Sequence, residues 1–305
     1  MRGTPTITPR IRILAATLRA ARQDAHFGLR ELARRLDINP SLLAHWERGT
    51  RTPTSGDVAQ ILGALGVPRD HKRHILNLAH GTTDSAWIIP GPHVTPDHFA
   101  ADAAHQASAT SVTVWSPLMV PALMQIRDYA RAVGANEATV SETSSRSATE
   151  FTACRQPAPM TSAVPTEVFV GAAALQDTIN NDETMLRQVR FLSDVSAVTQ
   201  SVLVRVVPSA AGPHPGLAGP FTLFAMDDGS SVARIETYGA TIHLVDDHAL
   251  YQDSVTKLAA VALSVDDSAN FIDACIAERD ALVQEHTRYD TVCDLDDVCA
   301  QLGSA

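Results

Sequence analysis

A chain of 305 residues predicts two domains, and its 45% hydrophobic and 19% charged residues exclude a protein that is disordered throughout. It contains no run of about 18 apolar residues, which excludes a typical transmembrane helix. The net charge of −10 is unevenly divided: residues 1–80 contain 13 Lys and Arg against 6 Asp and Glu, and the rest contain 11 against 28. This division predicts that the basic head binds a polyanion and that the acidic remainder does not.

The first 80 residues predict an α-helical domain, because apolar residues recur there at helical spacing. Arginines on both sides of the first apolar stretch, with no clear cleavage site, predict a helix of the mature protein rather than a signal peptide. Asn39, Ser55 and Asp70 are the predicted N-caps of the third, fourth and fifth helices, and Gly49 follows the third. The five predicted helices span residues 11–25, 29–36, 40–48, 55–65 and 70–79.

The second and third helices, joined by a three-residue turn, predict a helix-turn-helix whose second helix enters the major groove of DNA. Helical spacing turns six apolar side chains inward: Leu32, Ala33, Leu36, Ile38, Leu43 and Trp46. The outer face of the third helix carries the predicted base contacts, which are Ser41, Ala44 and His45. The predicted phosphate contacts flank them and are Arg30, Arg34, Arg48, Thr50 and Arg51.

Residues 10–80 resemble the lambda-repressor-like, xenobiotic-response-element family of regulators. The resemblance is carried by ELARRL, by the three-residue turn and by WERGTRTP after the recognition helix. It implies a five-helix DNA-binding domain in which Arg22 and Glu47 form a buried structural ion pair. Leu29 and Pro40 stand where many relatives have polar residues, so the resemblance implies no polar DNA contact from these two side chains.

Beyond the head, Gly, Pro and Thr predict a linker over residues 81–95, followed by an α+β regulatory and dimerisation domain over 96–288 and an acidic tail over 289–305. Strand-like alternation predicts strands over 111–115, 167–170, 201–207, 221–225, 231–236 and 241–245. Helices are predicted over 120–135, 182–197, 246–262 and 266–285.

The larger domain also resembles a known family. The segments WSPLMVPALMQIRDYARAV, Arg155-Gln156, VRVVP and GLAGPFTLF are similar to a large uncharacterised domain. Streptomycete and other actinobacterial regulators carry that domain, described as antitoxin-like, behind this same helix-turn-helix. The resemblance implies a small protein partner encoded nearby, or a small-molecule effector. Possible effector-pocket residues are Trp115, Gln125, Tyr129 and Arg155, although helix packing and capping explain such side chains more often.

Catalytic and metal chemistry have little support in the sequence. His243, Asp246, Asp247 and His248 have the residue types of metal ligands, but a strand end followed by an Asp-capped helix explains them better. Nucleophile-elbow, Walker and zinc-protease motifs are absent, so we expect no enzyme activity, catalytic residue, cofactor or metal; the alternative is a DNA-tethered enzyme. The four cysteines, Cys154, Cys275, Cys293 and Cys299, are expected to be reduced thiols.

These observations predict a cytoplasmic, sequence-specific transcriptional regulator that associates with the nucleoid when it binds double-stranded DNA. Because one short recognition helix makes few base contacts, we expect a homodimer on a pseudo-palindromic operator, assembled largely by residues beyond 95. The amphipathic stretches 246–262 and 266–285 are the candidate interfaces, although core packing explains them equally well. No membrane partner is expected.

Overall fold

A computed structural model describes residues 9–79, 86–90, 96–135, 164–227, 229–237, 239–244 and 248–302. Its contacts divide the chain into two compact units. The first contains Met1–Val112 and Thr222–Gln252, and the second contains Thr113–Phe221 and Asp253–Ala305. The helical head therefore lies in the same compact unit as part of the region that follows it.

The head begins with helices at the predicted positions. They are α1 (Pro9–Asp24), α2 (Leu29–Arg35), α3 (Pro40–Glu47), α4 (Ser55–Ala64) and α5 (Arg69–Leu78). The first and last residue of each helix lie within two residues of the predicted positions. The remaining differences arise because helix ends fray, so that a sequence pattern locates them least well.

Only one of the three predicted N-caps is confirmed. The Asn39 side chain accepts a hydrogen bond from the Ser41 N–H at 2.8 Å, as predicted. The cap of α4 is Thr54 rather than Ser55, because Thr54 Oγ1 accepts from the Asp57 N–H while the Asp57 carboxylate accepts from the Thr54 N–H. The prediction for Asp70 is also wrong, since α5 already begins one residue earlier.

The hydrophobic core of the head continues into the residues that follow it. The inward face predicted for α2 and α3 is confirmed, with Leu36 and Ile38 partly buried and the other four buried. The same cluster includes apolar residues of α1 and extends to Trp87, Ile89, Ala101 and Ala104. The last four belong to a strand, β1 (Ala86–Pro90), and to a helix, α6 (Pro96–Ser108). The head and these two elements are thus packed around one core.

The rest of the first unit is mainly an antiparallel sheet. β1 lies within the stretch predicted as a linker, and it pairs with β7 (Ala240–Leu244). β7 pairs in turn with β6 (Ser231–Thr237), and β6 with β5 (Phe221–Met226). The Trp87 and Ile89 side chains point into the core while Ile88 is exposed, which is the alternation expected of a sheet with one buried face.

The second unit contains a parallel strand pair with a helical crossover. β3 (Thr166–Gly171) is followed by α8 (Ala172–Gln176) and α9 (Asp182–Val198), after which β4 (Val202–Val207) returns parallel to β3. α11 (Val265–Leu302) packs against α9 and β4. The remaining elements of the chain are β2 (Ala109–Ser116), α7 (Arg127–Ala135) and α10 (His248–Val261).

The described strands hydrogen-bond in the order β1-β7-β6-β5-β2-β3-β4, so the region after the head is a mixed sheet with helices. The six predicted strands are confirmed and β1 is an additional one. The helix predicted over 120–135 is instead a short 3-10 helix, Ala122–Met124, followed by α7, because the extended backbone of Gln125 separates the two. α11 continues well past the predicted end at residue 285.

Candidate nucleic-acid interface

The predicted recognition helix, α3, is anchored to α1 by a two-point ion pair. Arg22 Nε lies 2.7 Å from Glu47 Oε1, and Arg22 Nη2 lies 2.8 Å from Glu47 Oε2. The two side chains are only 13% and 4% exposed. The hydrogen bond that Arg22 donates to the Glu47 carboxylate, together with the charge of that carboxylate, raises the pKa of Arg22 above its usual value. The structure thus brings together the two residues that the family resemblance paired.

Two further arginine contacts support this arrangement, one to the connection before α2 and one to the end of α3. Arg22 Nη1 donates to the carbonyl oxygen of Phe27 at 2.9 Å, and Arg19 Nη2 donates to that of Glu47 at 2.7 Å. Arg19 was not singled out in the sequence, because an arginine on the exposed side of an amphipathic helix has no signature that names its partner. The position of α3 against α1 is therefore fixed by hydrogen bonds as well as by the apolar core.

The outer face of α3 carries the predicted base-contacting residues. Ser41 is exposed, while Ala44 and His45 are half-buried. Leu43 and Trp46 are buried on the opposite face. This face presents a hydroxyl group, an imidazole and a methyl group, which are chemical groups that contact base edges in the major groove.

The predicted phosphate contacts surround this face. Five residues are exposed: Arg30, Arg34, Arg48, Thr50 and Arg51. Two of them already have partners at the end of α3. Arg48 Nε donates to the Ala44 carbonyl oxygen at 3.0 Å, and Thr50 Oγ1 contacts both His45 Nδ1 and the His45 carbonyl oxygen. The structure therefore gives Thr50 an additional intramolecular role that the sequence did not indicate.

A buried polar cluster joins α1 and α6 to the sheet of the first unit. Arg12 of α1 donates to the Ser230 hydroxyl at 2.7 Å. On α6, Asp102 is fully buried and accepts from Arg234 at 2.6 Å. His105, also on α6, has its Nε2 3.1 Å from His243 Nδ1. No sequence motif points to these contacts, whose partners are separated by more than a hundred residues.

The charge states in this cluster follow from its burial. Loss of hydration lowers the pKa of His105 to about 4; the charge of Asp102 opposes this shift, and the charges of Arg12 and Arg234 add to it. His105 is therefore neutral near pH 7. Burial alone would lower the pKa of Arg234, but the charges of Asp102 and Glu236 raise it above its usual value.

The residues predicted as a possible effector pocket hold the backbone of the second unit. Trp115 Nε1 donates to the Gly216 carbonyl oxygen at 2.8 Å, and Gln125 Nε2 donates to that of Val120 at 2.7 Å. The Tyr129 hydroxyl accepts from the Val120 N–H at 3.1 Å. Burial raises the pKa of Tyr129. Arg155 lies outside the described residues, and the pocket stays a prediction.

Residues of metal-ligand type do not converge within the parts of the chain that the structure describes. His243 is buried, contacts His105 and stacks on Trp87 with ring centroids 5.3 Å apart. Asp246 and Asp247 lie outside the described ranges, as does the side chain of His248. Cys275 is a buried free thiol, and burial raises its pKa.

The short helices α2 and α3, joined by a tight turn, form a helix-turn-helix. The outer face of α3 is polar, and exposed arginines lie around it. Residues 13–75 match the family described as a helix-turn-helix domain, which indicates a DNA-binding regulator. Residues 99–274 match the family described as a domain of unknown function (DUF5753), and because this match covers more than half of the chain, the protein belongs to that family. The predicted order, a helix-turn-helix head before a large uncharacterised domain, is confirmed.

Neither the curated proteins nor the solved structures contain a match to this chain. In the described residues, no helix is long and apolar enough to cross a membrane.

Proposed function

We propose that the protein is a sequence-specific transcriptional regulator of the lambda-repressor-like, xenobiotic-response-element type, with α3 as its recognition helix. The observation that carries the proposal is the outer face of α3, where Ser41 and His45 can hydrogen-bond to base edges. Arg22 and Glu47 fix this helix against α1, so that its outer face is preorganised for DNA.

The charge distribution also supports docking of the head, rather than the rest of the chain, onto DNA. The head is basic and the remainder of the chain is acidic, so phosphates attract the first and repel the second. The exposed Arg30, Arg34, Arg48 and Arg51 lie on or beside the two helices that would approach the duplex. Phosphate contacts set register and affinity, whereas contacts to base edges set sequence preference.

The proposal is tested by separating the loss of base contacts from the loss of phosphate contacts. Binding of the full chain to a selected duplex and to a scrambled duplex is measured by fluorescence anisotropy for four alanine variants. Ser41→Ala and His45→Ala should lower affinity mainly for the selected duplex. Arg48→Ala and Arg51→Ala should lower affinity for both and reduce the salt dependence of binding. Equal losses on both duplexes for His45→Ala would contradict the role of α3 in base contacts.

We further propose that a protein partner or a small molecule acting on the larger domain adjusts DNA binding, as the resemblance to antitoxin-like actinobacterial regulators implies. The support is that α1 shares its core with β1 and α6, and that Arg12 is hydrogen-bonded to Ser230. A change that moves α6 or the β5–β6 connection would therefore act on α1, to which α3 is tied.

A homodimer is part of the proposal. A single recognition helix contacts too few base pairs for useful specificity, and two heads related by a two-fold axis would bind a pseudo-palindrome with half-sites roughly 34 Å or a multiple apart. Sedimentation of the full chain at micromolar concentration should give a dimer. A monomer that binds a single half-site with the full affinity for the operator would contradict it.

A further inference from the structure

His45 is held at one edge of its ring by a residue beyond the end of α3. His45 Nδ1 lies 2.8 Å from Thr50 Oγ1, and the same Oγ1 lies 3.2 Å from the His45 carbonyl oxygen. Thr50 can turn back over the helix end because Gly49 has a φ of 71°, which favours glycine. The backbone N–H of Thr50 also donates to the His45 carbonyl, at 3.1 Å.

The single proton of the Thr50 hydroxyl links its two contacts with His45 to the tautomer of the His45 ring. A threonine hydroxyl has one proton to donate and lone pairs to accept with. If it donates to the His45 carbonyl, Nδ1 must carry the ring proton and donate to Oγ1. If it donates to Nδ1 instead, the contact between Oγ1 and the carbonyl oxygen is left without a proton. Both contacts are hydrogen bonds only in the Nδ1–H tautomer, and in that tautomer Nε2 of the neutral ring carries the lone pair.

We propose that Thr50 is a positioning residue that fixes this tautomer, so that His45 Nε2 accepts a hydrogen bond from a base amino group. The inference rests on the proposed function, with α3 in the major groove. The amino groups available there are N6 of adenine and N4 of cytosine, whereas O4 of thymine and N7 and O6 of guanine are acceptors. Within the described part of the chain Nε2 makes no hydrogen bond, so it is available for this contact.

The tautomer is tested without DNA. In the full chain labelled with ¹⁵N-histidine, the ring nitrogen shifts of His45 are measured over a range of pH up to the point where they stop changing, and they are assigned by the signals that His45→Ala removes. The expected result is a protonated Nδ1 in the wild type and in Thr50→Ser, with a mixture of tautomers in the near-isosteric Thr50→Val. A predominantly Nε2–H ring in the wild type, or the same spectrum in Thr50→Val, would overturn the inference.

The base contact is tested on an operator selected from random duplexes with the full chain. A failure to enrich any sequence would count against the proposed function, whereas the tautomer measurement above stands independently of it. In an enriched operator, the position whose preference is lost in His45→Ala is the position that His45 contacts. The absence of such a position would overturn the assignment of a base contact to His45.

At that position, base analogues separate an accepting from a donating Nε2. Replacing adenine by purine, or cytosine by pyrimidin-2-one, removes the amino group and should weaken wild-type binding about three- to tenfold. The same change should leave His45→Ala unaffected and should weaken Thr50→Val less than Thr50→Ser. Replacing the purine of that pair by its 7-deaza analogue, which removes the N7 acceptor, should have little effect. The proposal is overturned if the 7-deaza analogue causes the loss, or if neither analogue does.

Discussion

Arg22 and Glu47 join α1 to the last residue of α3 through two parallel hydrogen bonds of 2.7 and 2.8 Å. The pair is almost completely removed from solvent. Planar guanidinium and carboxylate groups in this arrangement fix orientation as well as distance. In the proposed function the pair therefore acts indirectly, by holding the face of α3 proposed to contact bases at a set angle to α1.

Glu47→Gln should lower the free energy of unfolding by about 3 kcal/mol, because it leaves the Arg22 charge shielded from water without its counter-charge. Urea unfolding followed by tryptophan fluorescence measures the change. Glu31→Gln is the matched control, since Glu31 is exposed on α2 and a glutamine can also accept the hydrogen bond from the Gly28 N–H, so that the same substitution there should cost less than about 0.5 kcal/mol. Equal stabilities of the two variants would show that the pair is not stabilising.

The stability of the protein should fall between about pH 6.5 and pH 4, partly because of His105. Burial lowers the pKa of this residue to about 4 in the folded chain, whereas an unfolded histidine titrates near 6.5. The unfolded state therefore binds more protons in this range, so stability is lost as the pH falls and the loss ends below about pH 4. The full contribution is about 3 kcal/mol.

His105→Phe keeps a ring beside Phe224 and removes the titrating group. Urea unfolding of both proteins at a series of pH values should therefore give a shallower pH dependence for the variant. Parallel curves for the two proteins would contradict the assignment of this proton uptake to His105.

Arg279 on α11 should be one of the most sensitive positions in the second unit. Its guanidinium is buried and donates to Thr178 Oγ1 and Asp182 Oδ1, both at 3.0 Å, and to three carbonyl oxygens, those of Leu175, Gln176 and Asp177. A lysine ammonium cannot reproduce this fork of donors. Arg279→Lys should therefore cost about 2–3 kcal/mol of unfolding free energy.

The matched control for Arg279→Lys is Arg190→Lys. Arg190 forms an exposed ion pair with Asp280, and such pairs contribute little to stability. Its substitution by lysine should change the unfolding free energy by less than about 0.5 kcal/mol. If Arg279→Lys is as well tolerated as Arg190→Lys in urea unfolding, the buried contacts are not stabilising.

The sequence predicts the helical head because its helices each have an apolar face with helical spacing, and it predicts the strands because they are short apolar or alternating runs bounded by turn-forming residues. It does not predict α6, because the buried face of that helix carries His98, Asp102 and His105 together with alanines. Polar residues at helical spacing indicate a solvated face, and the sequence does not show that the distant Arg234 and His243 contact Asp102 and His105 in the fold. β1 was missed since it is short, ends in Pro90 and lies among turn-forming residues.

The sequence also predicts part of the candidate site but not all of its contacts. Local periodicity identifies the outer face of α3, and the resemblance to a known family pairs Arg22 with Glu47. The contact between Thr50 and His45 depends on the backbone conformation after the helix, where the left-handed Gly49 turns the chain back. A pattern of residue types indicates that such a turn is present but not which side chains it brings within hydrogen-bonding distance.

The central claim is that this protein recognises a DNA sequence through α3. Its most direct test is the ratio of the affinities of the full chain for a duplex enriched by selection and for a permuted duplex of the same composition, at about 0.15 M salt. If α3 contacts bases as proposed, the ratio should be at least roughly 10³, the lower range for specific DNA-binding proteins. Equal affinity for the two duplexes, or no binding to either, would contradict it.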